Sequence, residues 1–508
     1  MNKYKGKKVL IFQQRDWAKR IGQFIAKRLQ EEGCKLSAVT LKRRTHDFIT
    51  TQKNVKYEQV VGIDDIIDNP EKNLDGDDIS LEEICRELNI DSVWPMLHSN
   101  RYLVRCYREQ YYYGYRQNVP DEHIVAYIKA YYKKLRDLFA SFKPDLVFIV
   151  AFISEEHLML KLFADKYKIP VIAIADAKVP GYYVFAYDHM YRKGPLVDRF
   201  NELQGGGKES KNREKAKKFV TEFREKAKKP IYADSGKNIE LGIIKRIRRE
   251  LSPYKRIFDF YTKEYPRINH LKSIGPTIDY KPPKIILRDF YRHKQYAKFA
   301  NSYKYYPLEK VKKFVFFPLK FTPEGNIDLM CPLYNNQIEL ARQIAMSLPD
   351  DYTLVVKEHW AMVGLRTPSY LEKVARTPNV KLVDYRIPAD EVLKKCDMVI
   401  STYSTVLFEA AFYNKPAIML SDAGMFNLLP NIFPHTNLFT LPKKIKEVLA
   451  SDLRTDEYER QLENYIAAVY DSGFDYNYAA AWERGEESRE ELLKIYEWEL
   501  DKWLCQKD

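Results

Sequence analysis

Met398-Val-Ile-Ser-Thr-Tyr-Ser-Thr-Val-Leu-Phe-Glu-Ala-Ala-Phe-Tyr-Asn-Lys-Pro-Ala-Ile-Met-Leu420 reads as buried strand, hydroxyl-rich turn, helix and buried strand in succession. The hydroxyls of Ser401, Thr402, Ser404 and Thr405 fall where the first strand ends and the helix begins. There the free backbone N–H groups and the positive dipole end of a helix can face an anion, which is the geometry of a phosphate site. One unit earlier, Tyr352-Thr-Leu-Val-Val-Lys-Glu-His359 is a second apolar strand that delivers Lys357, Glu358 and His359 at its carboxyl end. Open parallel sheets bind ligands outside the carboxyl ends of their strands, so the two units aim cations and hydroxyls at one crevice. Taken singly, Ser404 reads as an ordinary N-cap and Lys357 as a solvated strand end. Their joint placement favours a site. Glu409 lies on the following helix and either holds a ribose hydroxyl, as acidic residues do in other nucleotide folds, or faces solvent.

The same alternation extends outward. Strands are expected at 314–319, 352–357, 380–383, 397–402 and 416–420, separated by helical segments, and this spacing requires parallel pairing with crossover helices. Near the start, strands over 7–12 and 36–41 enclose a helix over 17–32, and strands over 145–150 and 170–175 flank a helix over 155–167. An aromatic stretch over 102–142, with Tyr111-Tyr-Tyr113 and Tyr131-Tyr132, reads as helical, its rings more consistent with core packing than with a sugar platform.

Four ordered pieces resemble the capsule polysaccharide biosynthesis family of glycosyltransferases, which includes the retaining Kdo transferases of bacterial capsules. They are Phe314-Val-Phe-Phe-Pro-Leu-Lys-Phe-Thr-Pro-Glu324, Tyr334-Asn-Asn-Gln-Ile-Glu-Leu-Ala-Arg-Gln-Ile-Ala345, Val356-Lys-Glu-His359 with Gly364-Leu-Arg366, and the stretch from Ser401 to Pro416. The resemblance implies a two-domain GT-B fold whose C-terminal half binds an activated sugar nucleotide, CMP-Kdo or a similar donor. The chain departs from the family in having His359-Trp360 in place of His-Pro, and Lys320 where a histidine is frequent.

The expected architecture is therefore α/β and GT-B-like, with two facing Rossmann-type domains, a helical basic insertion and a C-terminal crossing helix. The expected divisions are an acceptor-side domain over 1–203, the insertion over 204–312, a nucleotide-sugar-binding domain over 313–455 and a helical tail over 456–508 that packs back on the first domain. At 508 residues, 45% of them apolar, the chain has material for two such cores. No uninterrupted apolar run of about 18 residues predicts a membrane span. The basic start, Met1 to Lys8, leads into an apolar run too short for a signal peptide, so the expectation is a cytoplasmic protein, with peripheral attachment to the inner membrane face left open. Six dispersed cysteines without a Cys-x-x-Cys pair read as reduced thiols and not as a zinc site. Asp75-Gly-Asp-Asp78 is the nearest approach to an acidic metal cluster, but its polar setting argues against one. Neither a metal nor a cofactor is expected, the nucleotide sugar being the donor substrate.

Two loops of the first half leave the carboxyl ends of parallel strands toward the expected cleft: Gln13-Gln-Arg-Asp16 and Phe152-Ile-Ser-Glu-Glu-His157. Asp16, Glu155, Glu156, His157 and Asp176 are thus the candidates for acid, base or nucleophile, each with the alternative of being a solvent-facing helix cap. Sequence reasoning does not choose among them. From Gly205-Gly-Gly207 to Lys229 cations dominate, and Ile243-Ile-Lys-Arg-Ile-Arg-Arg249 and Tyr254-Lys-Arg-Ile-Phe-Asp-Phe-Tyr261 mix basic with large apolar residues. With an overall charge of +14, this pattern suits either an anionic membrane surface or a solvated charged face. No nucleic-acid module is present, so nucleic acid ranks last as a partner.

The reading that follows is a glycosyltransferase acting on a growing surface or capsular polysaccharide, with a nucleotide-sugar donor and a glycan or glycolipid acceptor. Lys357, Glu358, His359, Ser401, Thr402, Ser404 and Thr405 bind the donor, supported by Glu409 and Gln337. The alternatives are a CDP-alcohol-dependent polyol-phosphate transferase and a non-catalytic polysaccharide assembly or binding protein.

Overall fold

The computed structural model describes residues 3–112, 114, 116–226 and 243–505. Two six-stranded sheets organise it. The first contains β1 (Lys8–Gln14), β2 (Lys35–Leu41), β3 (Tyr57–Gly62), β4 (Leu146–Phe148), β5 (Val171–Asp176) and β6 (Tyr183–Ala186) in the order β3-β2-β1-β4-β5-β6. All of its pairs are parallel except β5 with β6. The second contains β7 (Phe314–Pro318), β8 (Thr353–Lys357), β9 (Val380–Val383), β10 (Met398–Ser401), β11 (Ala417–Met419) and β12 (Ile432–Pro434). It runs β12-β11-β10-β7-β8-β9 and is parallel throughout. Counted from its own first strand, that is the strand order of the first sheet, and both are the doubly wound order of Rossmann domains. The fold is GT-B-like.

Helices cover both faces of these sheets, which is why the central strands are nearly unbroken apolar runs. Every residue of β7 is buried, as is Leu354-Val-Val of β8. The halves meet along a close seam. A Cβ on Gly325 would fall 2.9 Å from the backbone of Ile153, and one on Gly424 would fall 2.4 Å from that of Arg192, so only glycine permits either approach. The amide of Gly424 donates to the carbonyl of Met190 at 2.7 Å. Arg105 and Asp328, both almost wholly buried, pair across the same seam at 2.5 Å.

The tail crosses back onto the first sheet. Its helices are Asp456–Ser472, Tyr478–Arg484 and Glu486–Leu504. Leu492, Leu493, Tyr496, Leu500 and Leu504 of the last one share a core with Val9, Ile11 and Phe148, and the Tyr496 ring meets the Phe148 edge at 5.7 Å. In the basic insertion, helix Arg213–Lys226 docks by an apolar face: Ala216, Phe219, Val220 and Phe223 are buried, with Phe223 stacked 4.0 Å from Phe412. Its charges are the solvated side of a packed helix; residues 227–229 of the predicted basic run lie outside the described residues.

The aromatic stretch is only partly helical. Helix Asp121–Phe142 forms, with Tyr127, Tyr131 and Tyr132 fully buried as core, but the described residues of the stretch before Pro120 do not continue it. Partners distant in sequence hold each of their turns: Tyr111 packs edge-on against Tyr296 at 5.5 Å, Tyr107 donates to Asp289, and Arg105 reaches Asp328. Tyr113 lies outside the described residues. The acidic turn at Asp75 serves ion pairing, since Asp77 meets Lys133 and Arg136 at 3.2 Å each. Among the described residues no group of His, Cys, Asp or Glu could hold a metal ion, no cysteine is in a disulfide, and no helix is long and apolar enough to cross a membrane.

Candidate functional site

In the second sheet the strand order reverses between β7 and β10, the switch point outside whose carboxyl ends doubly wound sheets bind ligands. The chain leaves β7 through Leu319 and Lys320, β8 through Glu358 and His359, and β10 through Thr402, Tyr403 and Ser404. Lys320 bridges the reversal: its ammonium, 7% exposed, donates to the carbonyl oxygen of Tyr403. Burial lowers its pKa, and the charge of Lys178 across the seam lowers it further, while Glu324 at 4.0 Å opposes.

The neighbouring groups hold this geometry. The Gln337 side chain accepts from the Lys320 amide at 2.5 Å and donates to its carbonyl at 3.3 Å, so it acts here as a clamp on the backbone after β7. Arg366 donates to the same carbonyl and pairs with Glu358 at 2.8 Å, both side chains being buried. Glu358 also accepts from the His359 amide at 2.6 Å. Burial pushes its carboxyl up while Arg366 draws it back down. Removing one partner of such a buried pair costs roughly 3–5 kcal/mol.

His359 is held neutral. Burial first, then the charges of Lys357, Arg366 and Lys320, lower its pKa to about 4. Its Nδ1 accepts from the amide of Ala361 at 3.2 Å, so the neutral ring carries its proton on Nε2 and is a donor there. Lys357 ends β8 half-buried, and its charge reaches Glu358, His359 and Asp384.

At the end of β10 the Ser401 hydroxyl is buried and has no hydrogen-bond partner among the described residues; Thr402 is buried beside it. Ser404 has extended N-cap backbone angles, yet its hydroxyl caps nothing. Helix Thr405–Ala411 is only seven residues long. Little macrodipole is available from so short a helix, and what remains is the set of free N–H groups of its first turn with the adjacent hydroxyls. Glu409 is 8% exposed, so it does not face solvent.

The candidates of the first half separate. Asp16 is exposed in the short helix Arg15–Trp17. Glu155, Glu156 and His157 form the buried first turn of helix Glu155–Lys166, and none of the three faces solvent. Glu155 accepts from Tyr127 at 2.6 Å and from Asn100, and burial followed by the charge of Glu156 raises its pKa well above the usual carboxylate range. His157 lies 4.1 Å from the Phe12 ring, and burial lowers its pKa to about 3.

Asp176 is placed differently. It ends β5, accepts from the amide and ammonium of Lys178 at 2.8 and 2.9 Å, and lines an open pocket of about 1230 Å³. The β5–β6 turn and the tail form that pocket, with Tyr182, Tyr183, Tyr476, Tyr478 and Trp498 in its walls. Sequence reasoning missed both the pocket and Lys178. Asp176-Ala-Lys178 begins on the last residue of β5 as Lys357-Glu-His359 begins on the last residue of β8, and that parallel was the available signal.

Residues 214–428 match the family model described as capsule polysaccharide biosynthesis protein. No curated protein matches the chain. Among solved structures, the chain is similar to KpsC β-Kdo 2,7 transferase from Thermosulfurimonas dismutans at 10% identity and a TM-score of 0.33, over 66% of this chain and 80% of that one. It is similar to the S. aureus MnaA–UDP co-structure at 12% identity and a TM-score of 0.25, over 99% of each chain. The UDP-GlcNAc 2-epimerase from Methanocaldococcus jannaschii is similar at 12% identity and a TM-score of 0.25, over 91% of this chain and 98% of that one.

Proposed function

We propose, from the capsule polysaccharide biosynthesis domain that the chain carries over residues 214–428, that it is a glycosyltransferase moving a sugar from a nucleotide-activated donor to a growing surface or capsular polysaccharide. What supports this reading is the switch point between β7 and β10, where the strand ends carry Lys320, Lys357, the Nε2–H of His359, Ser401 and an uncapped Ser404 hydroxyl. Negative charge develops on the departing phosphate in glycosyl transfer. Cations and N–H donors fixed in advance stabilise that charge without the reorganisation water would need. In this reading the lysines supply the positive charge, and the reaction proceeds without a metal.

The acceptor occupies the Asp176 pocket. Its volume of about 1230 Å³ exceeds the roughly 300–1,000 Å³ of ordinary small-molecule sites and suits an extended glycan. Tyrosine and tryptophan faces stack on the apolar sides of sugar rings while carboxylates and amides bind their hydroxyls. Of the five acid–base candidates, Asp176 is the one that lines this pocket, and it takes the proton of the acceptor hydroxyl.

The test is turnover of CMP-, UDP- and CDP-linked donors with oligosaccharide acceptors, followed by mass spectrometry. Sugar transfer that Asp176→Asn abolishes without loss of nucleotide binding supports the proposal. Turnover of a CDP-linked alcohol alone would make the protein a polyol-phosphate transferase. Nucleotide binding without turnover across the panel would make it a binding protein.

A further inference from the structure

Helix Ile243–Thr262 leaves a row of large apolar side chains in solvent. Ile247, Leu251, Tyr254, Phe258 and Tyr261 are 53%, 57%, 55%, 66% and 67% exposed. Their spacing of alternately four and three residues places all five within about 40° of one line along the helix. Pro253 and Phe260, on another face, are buried and fix the helix to the protein, so the row points outward by construction. Tyr291 of helix Pro283–Ser302, 56% exposed and hydrogen-bonded to Tyr254, widens the patch.

We infer that this face docks on an anionic lipid bilayer, with the five side chains at the level of the headgroups and the helix axis in the membrane plane. Three observations choose that occupant. The row is narrow, roughly 21 Å long and 10 Å wide, far below the roughly 800 Å² per partner of a stable protein interface. From Arg248 to Lys263 the helix and its end carry five cations against two carboxylates, and Arg248 and Lys255 flank the row directly. On the other flank Glu250 is paired with Lys294. A chain of net charge +14 repels a second copy of itself, whereas an anionic surface attracts it. Aromatic and aliphatic residues above a basic flank are the composition of helices that lie in the interface. The membrane face is thus this helix, and not the basic helix Arg213–Lys226, whose apolar side is already buried.

The test is flotation of the full chain with vesicles of pure phosphatidylcholine and of equal parts phosphatidylcholine and phosphatidylglycerol, without any nucleotide sugar, so that it is independent of the catalytic reading. Binding is expected on the anionic vesicles only and to weaken with salt. Arg248→Gln with Lys255→Gln should weaken it about twenty-fivefold, at about fivefold per cation near the surface. Leu251→Asp with Phe258→Asp should abolish it. Equal partitioning onto both vesicles, no binding to either, or undiminished binding of both double variants would overturn the inference. So would a dimer in sedimentation that Leu251→Asp with Phe258→Asp dissolves while no vesicle binding is seen.

Discussion

Replacing Lys320 by methionine keeps most of the side-chain volume and deletes the ammonium at the reversal point of the second sheet. Two effects on stability then oppose each other. The Tyr403 carbonyl loses a charged donor, which costs roughly 1.5–3 kcal/mol. The folded state no longer desolvates an ammonium, the burden that already lowers the Lys320 pKa. The expected net loss at pH 7 is about 0–2 kcal/mol. In the proposed site donor affinity has only one sign, because a cation is gone: a loss of roughly 1.5–3 kcal/mol, or about ten- to a hundredfold. Urea unfolding and calorimetric titration with nucleotide sugars measure the two separately. A pH arm follows from the depressed pKa. Between the folded value and the ordinary lysine value the unfolded chain binds the proton and the folded chain does not, so wild-type stability rises with pH there relative to Lys320→Met. Unchanged donor affinity beside a clear stability loss would reduce Lys320 to a strut between two strands and refute the reasoning.

Lys357→Ala and His359→Ala should each fold and weaken donor use about ten- to a hundredfold; normal kinetics in both would remove them from the site. Ser404→Ala should leave the unfolding free energy nearly unchanged, since the hydroxyl caps nothing, while raising the donor dissociation constant. A stability loss of roughly 0.5–2 kcal/mol with unaltered affinity would instead mark a cap. His157 stays neutral in the fold until about pH 3 but protonates at its ordinary value when unfolded. The stability it contributes is therefore full above the unfolded value and is lost as pH falls through that value toward about 3, at roughly 1.4 kcal/mol per unit. Acid unfolding of His157→Phe should show that slope removed, and parallel curves for the two proteins would contradict the burial argument.

The central strands were legible because parallel strands buried on both faces must be apolar without interruption, as Phe314-Val-Phe-Phe317 and Leu354-Val-Val356 are. The edges were not. Tyr57-Glu-Gln-Val-Val-Gly62 neither alternates nor runs apolar throughout, β6 is a four-residue antiparallel strand, and β12 is three residues ending in Pro434. None of these carries a pattern distinct from a loop. At the proposed site, the strand ends at Lys357 and Ser401 were readable because strand-to-helix punctuation is local. The clamp of Gln337 on Lys320, the Arg366–Glu358 pair and the pocket walled by Tyr183 and Trp498 depend on contacts between distant segments, which no local pattern encodes. The burial of Glu155, Glu156 and His157 has the same origin: Tyr127 and Phe12 cover them from elsewhere in the fold.

The central claim is that a donor phosphate sits where β7 and β10 diverge. A crystal structure of the chain with bound CMP, UDP or CDP tests it most directly. The account predicts the phosphate within hydrogen-bonding distance of the N–H groups at Ser404 and Thr405 and within reach of Lys357 or Lys320. A nucleotide seated instead at the carboxyl ends of the first sheet, with the β7–β10 crevice closed by the Lys320 bridge to Tyr403, would contradict it.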